Sequence, residues 1–387
     1  MSWEKVRFGD LYAVESKNGL TKPRKIRGIG YKMINMGELF ANDRLYDIPM
    51  ELVPLTKNEK RNFLVEKDDL LFARQSLVLD GAGKCIIVME ISELTVFESH
   101  LIRVRLNKDR AIPMFYYYYL RSPFSPIKTI VSQCAQAGIR GSDLRELPVL
   151  YPPIDVQKHI SNILSVYDNL IENSQKQIRL LEEAAQRLYK EWFVNLRFPG
   201  YETTPVINGV PAGWRSGNML EIAEFKRGRT ITKSQITPGY VPVVAGGLEP
   251  AYYHNKANTT APVVTVSGSG ANAGFTRMYH MDVFASDCSF IDIHATPYVC
   301  FVYCFLKESK AQLDSLQKGS AQPHVYTKDI NALPLLIPEK KYMELFVRIA
   351  TPLFSKIQNI EKQIKITAEA RDRLLPKLMS GEIEVQP

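Results

Sequence analysis

The sequence predicts an α+β chain in which two pseudo-repeated α/β globular segments are separated by a pair of long antiparallel coiled-coil helices. Three observations carry that expectation. The chain repeats itself, each repeat ends in a heptad-patterned stretch, and each repeat begins with short β-branched and aromatic runs broken by Gly and Pro. The repeat is read directly: Leu147-Pro148-Val149-Leu150-Tyr151-Pro152 returns as Leu333-Pro334-Leu335-Leu336-Ile337-Pro338, 186 positions later. At the same offset Ile171–Ile178 falls on Ile357–Ile364, and near it Val96-Phe97-Glu98-Ser99 falls on Val283-Phe284-Ala285-Ser286. Trp3 pairs loosely with Trp214, and Lys17-Asn18-Gly19 with Lys226-Arg227-Gly228.

Each half has the same order of elements. Asp69–Ala73, Lys84–Met89 and Leu101–Leu106 read as strands in the first, Val241–Ala245 and Pro262–Ser267 in the second. A Pro-bounded joint follows at 148–153 and again at 334–338, where proline stops the preceding element and fixes an extended entry. Apolar residues then recur in alternating steps of four and three: Ile160, Leu164, Tyr167, Ile171, with polar Ser174, then Ile178, Leu181, Ala185, Leu188 and Trp192. The second stripe runs from Phe346 to Leu378 and is broken by Arg371, whose guanidinium must reach solvent or a carboxylate. A helix over 158–194 is about 55 Å long. Neither stripe is buried by one helix alone, so the two are expected to pair within the chain as the bar of a dumbbell, the duplication favouring this over the rival reading of two separate chains pairing through these helices. The boundaries fall at 1–150, 151–197, 198–336 and 337–387.

Composition sets limits. The chain has 387 residues, 45% hydrophobic and 23% charged, which excludes collagen-like, wholly disordered and disulfide-scaffold classes. Lys and Arg outnumber Asp and Glu by 49 to 41, a formal charge of +8 that favours a polyanionic partner. No apolar signal region and no run approaching ~18 apolar residues is readable, so no membrane association is expected. Five scattered cysteines read as buried free thiols in a reducing, cytoplasmic compartment, and no metal site is expected.

Catalytic motifs fail one by one. Gly268–Gly274 has the wrong spacing for a dinucleotide loop and reads as a strand-to-strand turn. Tyr151-Pro-Pro153 lacks the Asn or Asp of an adenine methyltransferase motif, and there is no Walker A loop, HExxH or GxSxG. Tyr116–Tyr119 matches the apolar Phe301–Leu306 and reads as a buried helix rather than a stacking platform.

The basic residues are more telling. Lys17, Lys22, Arg24, Lys25 and Arg27 cluster early in the first half, and Lys226, Arg227, Arg229 and Lys233 at the same stage of the second. Such clusters neutralise phosphates, giving affinity and register without sequence choice. Sequence choice needs forked polar groups at base edges. Candidate readers are Arg74, Gln75, Lys84, His100, Gln136 and Arg140 in the first half, and Ser267, Ser269, Asn272, Asp287, Gln322 and His324 in the second.

The joint and Asp155-Val-Gln157 helix start, the Ile171–Trp192 helix, their return at 333–338 and 357–378, the Trp214 entry and the closing Leu374–Glu384 run carry a resemblance over the whole chain. It resembles the specificity (S) subunit of Type I restriction–modification systems. The resemblance implies two target recognition domains (1–150 and 198–336) and two conserved spacer helices (151–197 and 337–387). It implies a non-catalytic subunit that reads a split, asymmetric site in double-stranded DNA, with the helices setting the unread gap. It also implies docking of two methyltransferase subunits, which hold S-adenosylmethionine, and two motor-nuclease subunits, which use ATP and Mg; this chain itself holds no cofactor. Asn169, Glu172, Gln175, Lys176 and Glu183 are the expected docking residues. Two other readings are a methyltransferase or nuclease with degenerate motifs, and a DNA-bridging coiled-coil protein without sequence preference.

Overall fold

The computed structural model describes residues 3–133, 137–318 and 323–385. The chain divides into two compact units, Met1–Ile171 together with Ile366–Pro387, and Glu172–Lys365.

In the first unit, Tyr12–Asn18, Leu101–Leu106, Leu70–Ala73, Cys85–Val88 and Arg44–Leu45 form a five-stranded sheet in that order. Leu70–Ala73 and Cys85–Val88 are apolar throughout because both faces are buried. Leu70, Phe72, Cys85 and Ile87 point into one core, and Leu71, Ala73, Ile86 and Val88 into another, the two-residue alternation of a pleated strand. A second sheet holds Glu51–Val53, Tyr31–Ile34 and Thr95–Phe97, the last two parallel. A ribbon pairs Lys5–Arg7 with Pro148–Leu150, tying the joint to the start of the unit.

The second unit repeats this frame. Lys226–Arg227, Cys288–Ile291, Val263–Ser267 and Thr276–Tyr279 form one sheet; Tyr252–His254, Val241–Val244 and Phe284–Ala285 form another with its own parallel pair. Arg215–Asn218 pairs with the joint strand Pro334–Ile337. The segment Gly268–Gly274 is indeed a turn between antiparallel strands.

Gly19 and Gly228 show how closely the frames agree. A Cβ on Gly19 would lie 2.1 Å from the Phe97 carbonyl oxygen, and one on Gly228 would lie 2.3 Å from that of Ser286. Each glycine ends a strand pressed against the equivalent backbone turn, and no side chain fits there.

Four helices matter for the sites: α1 (Pro113–Arg121), α2 (Ile154–Tyr189), α3 (Val299–Glu308) and α4 (Lys340–Ser380). All four tyrosines of 116–119 are buried in α1, and Phe301–Leu306 is buried in α3. The first long helix starts earlier than its heptads suggest and ends at Tyr189 in a five-residue π turn, Lys190–Val194, which turns Trp192 and Phe193 into the core.

Inside the first unit, Ile160 and Leu164 of α2 share a core with Leu378 and Met379 of α4, while Asp168 bonds Arg371: the order is antiparallel. Arg371 therefore finds the carboxylate its seam position required, at 2.5 Å, and Tyr118 donates to the other oxygen of Asp168 at 2.6 Å. Burial opposes the charge on Arg371, but the bonds to Asp168 and Asp372 outweigh it and hold its pKa above the ordinary value. Inside the second unit, Tyr189 and Trp192 pack on Phe346 with ring centroids 5.9 and 6.4 Å apart.

Buried Gln157 locks the first joint. Its Oε1 accepts from the Ile112 N–H and its Nε2 donates to the Pro152 carbonyl, both at 2.9 Å. The repeat places Met343 at this position, an apolar side chain that makes neither bond; there the corresponding N–H, on Tyr298, donates to Thr296 Oγ1 at 3.2 Å.

A candidate nucleic-acid interface

The basic clusters are not uniform. Arg24 and Lys25 are exposed and have no carboxylate partner among the described residues. Lys22 does not belong with them: it is 9% exposed and its ammonium is bound by both oxygens of Glu59 at 2.8 and 2.9 Å. The bond from Lys22 draws the Glu59 carboxyl below its ordinary pKa, and the backbone of Thr56 adds to the effect. Arg27 is also engaged, donating to Glu51 at 2.6 Å and to the Lys22 carbonyl at 2.8 Å. Lys17 is half-buried over the Phe63 ring. In the second unit Lys226, Arg229 and Lys233 are exposed, whereas Arg227 pairs with Asp287.

The reading candidates form one group in each unit. In the first, Gln75 sits on a short strand, Gln75–Ser76, which pairs with Ala137–Gly138. His100 Nδ1 bonds Gln75 Oε1 at 2.9 Å, and Arg74 donates to the Ser99 carbonyl at 3.3 Å. Lys84 donates to the Phe40 carbonyl at 3.0 Å and lies 3.4 Å from Asp43; Arg140 is exposed. In the second, Asp287 binds both Arg227 and the Ser269 hydroxyl, the latter at 2.5 Å. Ser269 bridges in backbone to His324, whose ring stacks on exposed Tyr326 at 6.1 Å. Asn272 is half-buried and donates to the Gly246 carbonyl. Ser267 is an exception: it is buried and donates inward, also to Gly246, so it holds the turn rather than facing outward. Gln136 and Gln322 lie outside the described residues.

Of the expected docking residues, Asn169 accepts from Arg44 of its own unit at 2.8 Å. Glu172 is half-buried, Gln175 and Lys176 are exposed, and Glu183 is exposed beside Arg187 at 3.6 Å.

Other chemistries find little material. Cys85, Cys288, Cys300 and Cys304 are buried free thiols. Burial pushes Cys288 up to about 12 and Cys300 up to about 11, far from reactive thiolates. Among the described residues no cluster of three His, Cys, Asp or Glu is placed to hold a metal, and no helix is long and apolar enough to cross a membrane.

A model of the Type I restriction modification DNA specificity domain matches residues 1–183 and again 211–370. The chain belongs to that family. The two matches coincide with the two repeats, each with its globular frame and most of its helix. Among relatives, the Type I restriction enzyme MjaIX specificity subunit of Methanocaldococcus jannaschii is 26% identical, covering 73% of this chain and 71% of the relative. The Type I restriction enzyme HindI specificity subunit of Haemophilus influenzae is 20% identical over 90% of this chain and 94% of its own. The crystal structure of a Type I restriction–modification S subunit from M. genitalium shares the fold, with a TM-score of 0.58 at 17% identity over 98% of this chain and 96% of that one. The specificity family supplies DNA recognition and not catalysis, which sets aside the degenerate-enzyme reading.

Neither the Gln75–His100 bond nor the Asp287 network was legible as a contact in sequence, because their partners are 25 and up to 60 positions apart. The repeat offset was the signal that placed them at matching stations.

Proposed function

We propose that this specificity subunit reads a split, asymmetric site in double-stranded DNA, one part with each unit, and that α2 and α4 set the unread gap between the parts. The observation that supports this reading most is that one backbone frame occurs twice with different polar chemistry at the same station: Gln75 with His100 in one unit, Ser269 with Asp287 in the other. Two different half-sites read by one scaffold require that combination. The exposed cations Arg24, Lys25, Lys226, Arg229 and Lys233 supply phosphate contacts. Methyltransferase subunits, two of them, dock along the helices near Gln175, Lys176 and Glu183 and bring S-adenosylmethionine; two motor-nuclease subunits bring the ATP and Mg chemistry. The whole assembly works on cytoplasmic DNA.

The test is to map methylated adenines in DNA from cells that express this chain with its methyltransferase. The expected result is a two-part motif with one modified adenine on each strand. Inserting four residues into the paired helices lengthens the gap of that motif. A continuous motif, or a gap that ignores the insertion, overturns the reading.

A further inference from the structure

Leu77, Val78 and Leu79 are 89%, 64% and 52% exposed, and Leu77 is the most exposed large apolar side chain among the described residues. This is not a loose loop. The buried Ser76 hydroxyl accepts from the Val78 N–H at 3.2 Å, and the Val78 carbonyl accepts from the Gly81 N–H at 3.1 Å. A Cβ on Gly81 would stand 2.2 Å from Ser76 Oγ, so a larger residue there would displace the hydroxyl that holds the turn. The protein holds three aliphatic side chains in water on a fixed turn, an arrangement that marks a contact surface.

Leu77 and Val78 wall a recess of about 470 Å³ together with Met36 and Phe40, and Gln75, Ser76 and His100 complete its lining. An amide oxygen only accepts, so His100 Nδ1–H donates to Gln75 Oε1, and this bond fixes both the imidazole tautomer and the direction of the amide. One lone pair of Oε1 and both hydrogens of Nε2 stay available. That is an acceptor beside a donor, the complement of the N6–H and N7 of adenine in the major groove. The same base pair presents the thymine C5 methyl next to that edge, which an aliphatic wall fits. The surroundings suit DNA: Arg74 has no carboxylate partner among the described residues, Arg140 is exposed two positions beyond the strand paired to Gln75, and the turn's one carboxylate, Asp80, is paired with Lys128 at 3.1 Å.

We infer that the first unit reads an A·T base pair through this recess. Gln75 pairs with the adenine edge, Leu77 and Val78 pack on the thymine methyl, and His100 is a positioning residue that pre-orients the amide. The inference rests on the specificity reading above and deepens it. The second unit has charged Asp287 and Arg227 at the matching station, so only one half-site carries this contact.

The experiment uses the complex of the full chain with its methyltransferase and DNA carrying the mapped motif. Gln75→Ala identifies the half-site of the first unit by weakening its recognition about tenfold. Within that half-site each thymine is replaced in turn by uracil, which lacks only the methyl. One position is expected to weaken binding about fourfold, the factor equivalent to one methyl group returned to water. The double variant Leu77→Ser, Val78→Ser, altered only at exposed positions, shows no loss there. 7-Deazaadenine at the paired adenine weakens the native complex and not Gln75→Ala. His100→Ala weakens the adenine contact and leaves the uracil effect in place. The inference is overturned if Gln75→Ala affects neither half-site, if the half-site holds no A·T pair, if every uracil is neutral, or if the serine variant keeps the full uracil effect. Loss of sequence dependence altogether in the native complex is a separate result, which overturns the specificity reading instead.

Discussion

The first unit presents an amide–imidazole pair beside an aliphatic turn, and the second a carboxylate bridged to a guanidinium and a hydroxyl beside a glycine-rich turn. The sheets beneath them pair in the same order, and Gly19 and Gly228 meet the same backbone corner. The difference teaches where a duplicated chain is free to change. Backbone pairing and close backbone approach tolerate almost nothing, because every buried N–H and C=O must be matched. Side chains that end in solvent are released from that demand, and chemistry diverges there.

The joints repeat the lesson inside the core. A buried amide, Gln157, satisfies the N–H before α1, whereas the N–H before α3 is satisfied from its own loop by Thr296, which leaves Met343 free to be apolar. The backbone demand is constant; its supplier is not.

These comparisons are open to breakage, beginning with the severest. Gly19→Val and Gly228→Val are each expected to cost more than 4 kcal/mol and to unfold their own unit in urea titrations; a stable Val variant in one unit only would show that the frames differ at this corner. Asp168→Ala strands the Arg371 charge and costs about 3 kcal/mol, measured as faster hydrogen exchange in α4 of the first unit; Arg371→Leu in the same chain recovers part of it. Gln157→Met makes the first joint resemble the second but leaves the Ile112 N–H without its partner, a loss of about 2 kcal/mol. Adding Arg110→Thr, the position matching Thr296, restores a partner and part of the stability.

Acid sharpens the contrast between the units. Burial lowers His280 of the second unit to about 4, so it is neutral when folded and takes up a proton near 6.5 when unfolded. The unfolded state then binds more protons below 6.5, and the second unit loses about 2 kcal/mol as pH falls from 6.5 towards 4. His280→Gln flattens that slope in urea midpoints measured across the range. The smallest effect is at the rim: Arg24→Ala with Lys25→Ala reduces the slope of log affinity against log salt by about 2 without changing the motif, whereas Lys22→Ala destabilises the fold by removing the partner of Glu59.

Five of the strands, the helix pair, the buried tyrosines and the need of Arg371 for solvent or a carboxylate were legible in sequence, because each follows from a local period or from one unbalanced charge. The fate of Lys22 was not, since Glu59 lies 37 positions away and a charge looks the same in sequence whether buried or free. The turn at Leu77–Leu79 was overlooked for a similar reason. Three aliphatic residues in a row read as core, and only the fold shows them in water.

The first unit is assembled from the two ends of the chain, and the second from the continuous stretch between them. Synthesis runs from the N- to the C-terminal side, so the second unit has all its residues before Leu378 and Met379, which fill the first unit's core, have been made. The half that begins first is completed last. During that interval Ile160 and Leu164 of α2 lack the Leu378 and Met379 side chains that share their core, so the core whose first residues are made earliest is closed only after the second unit has all of its own.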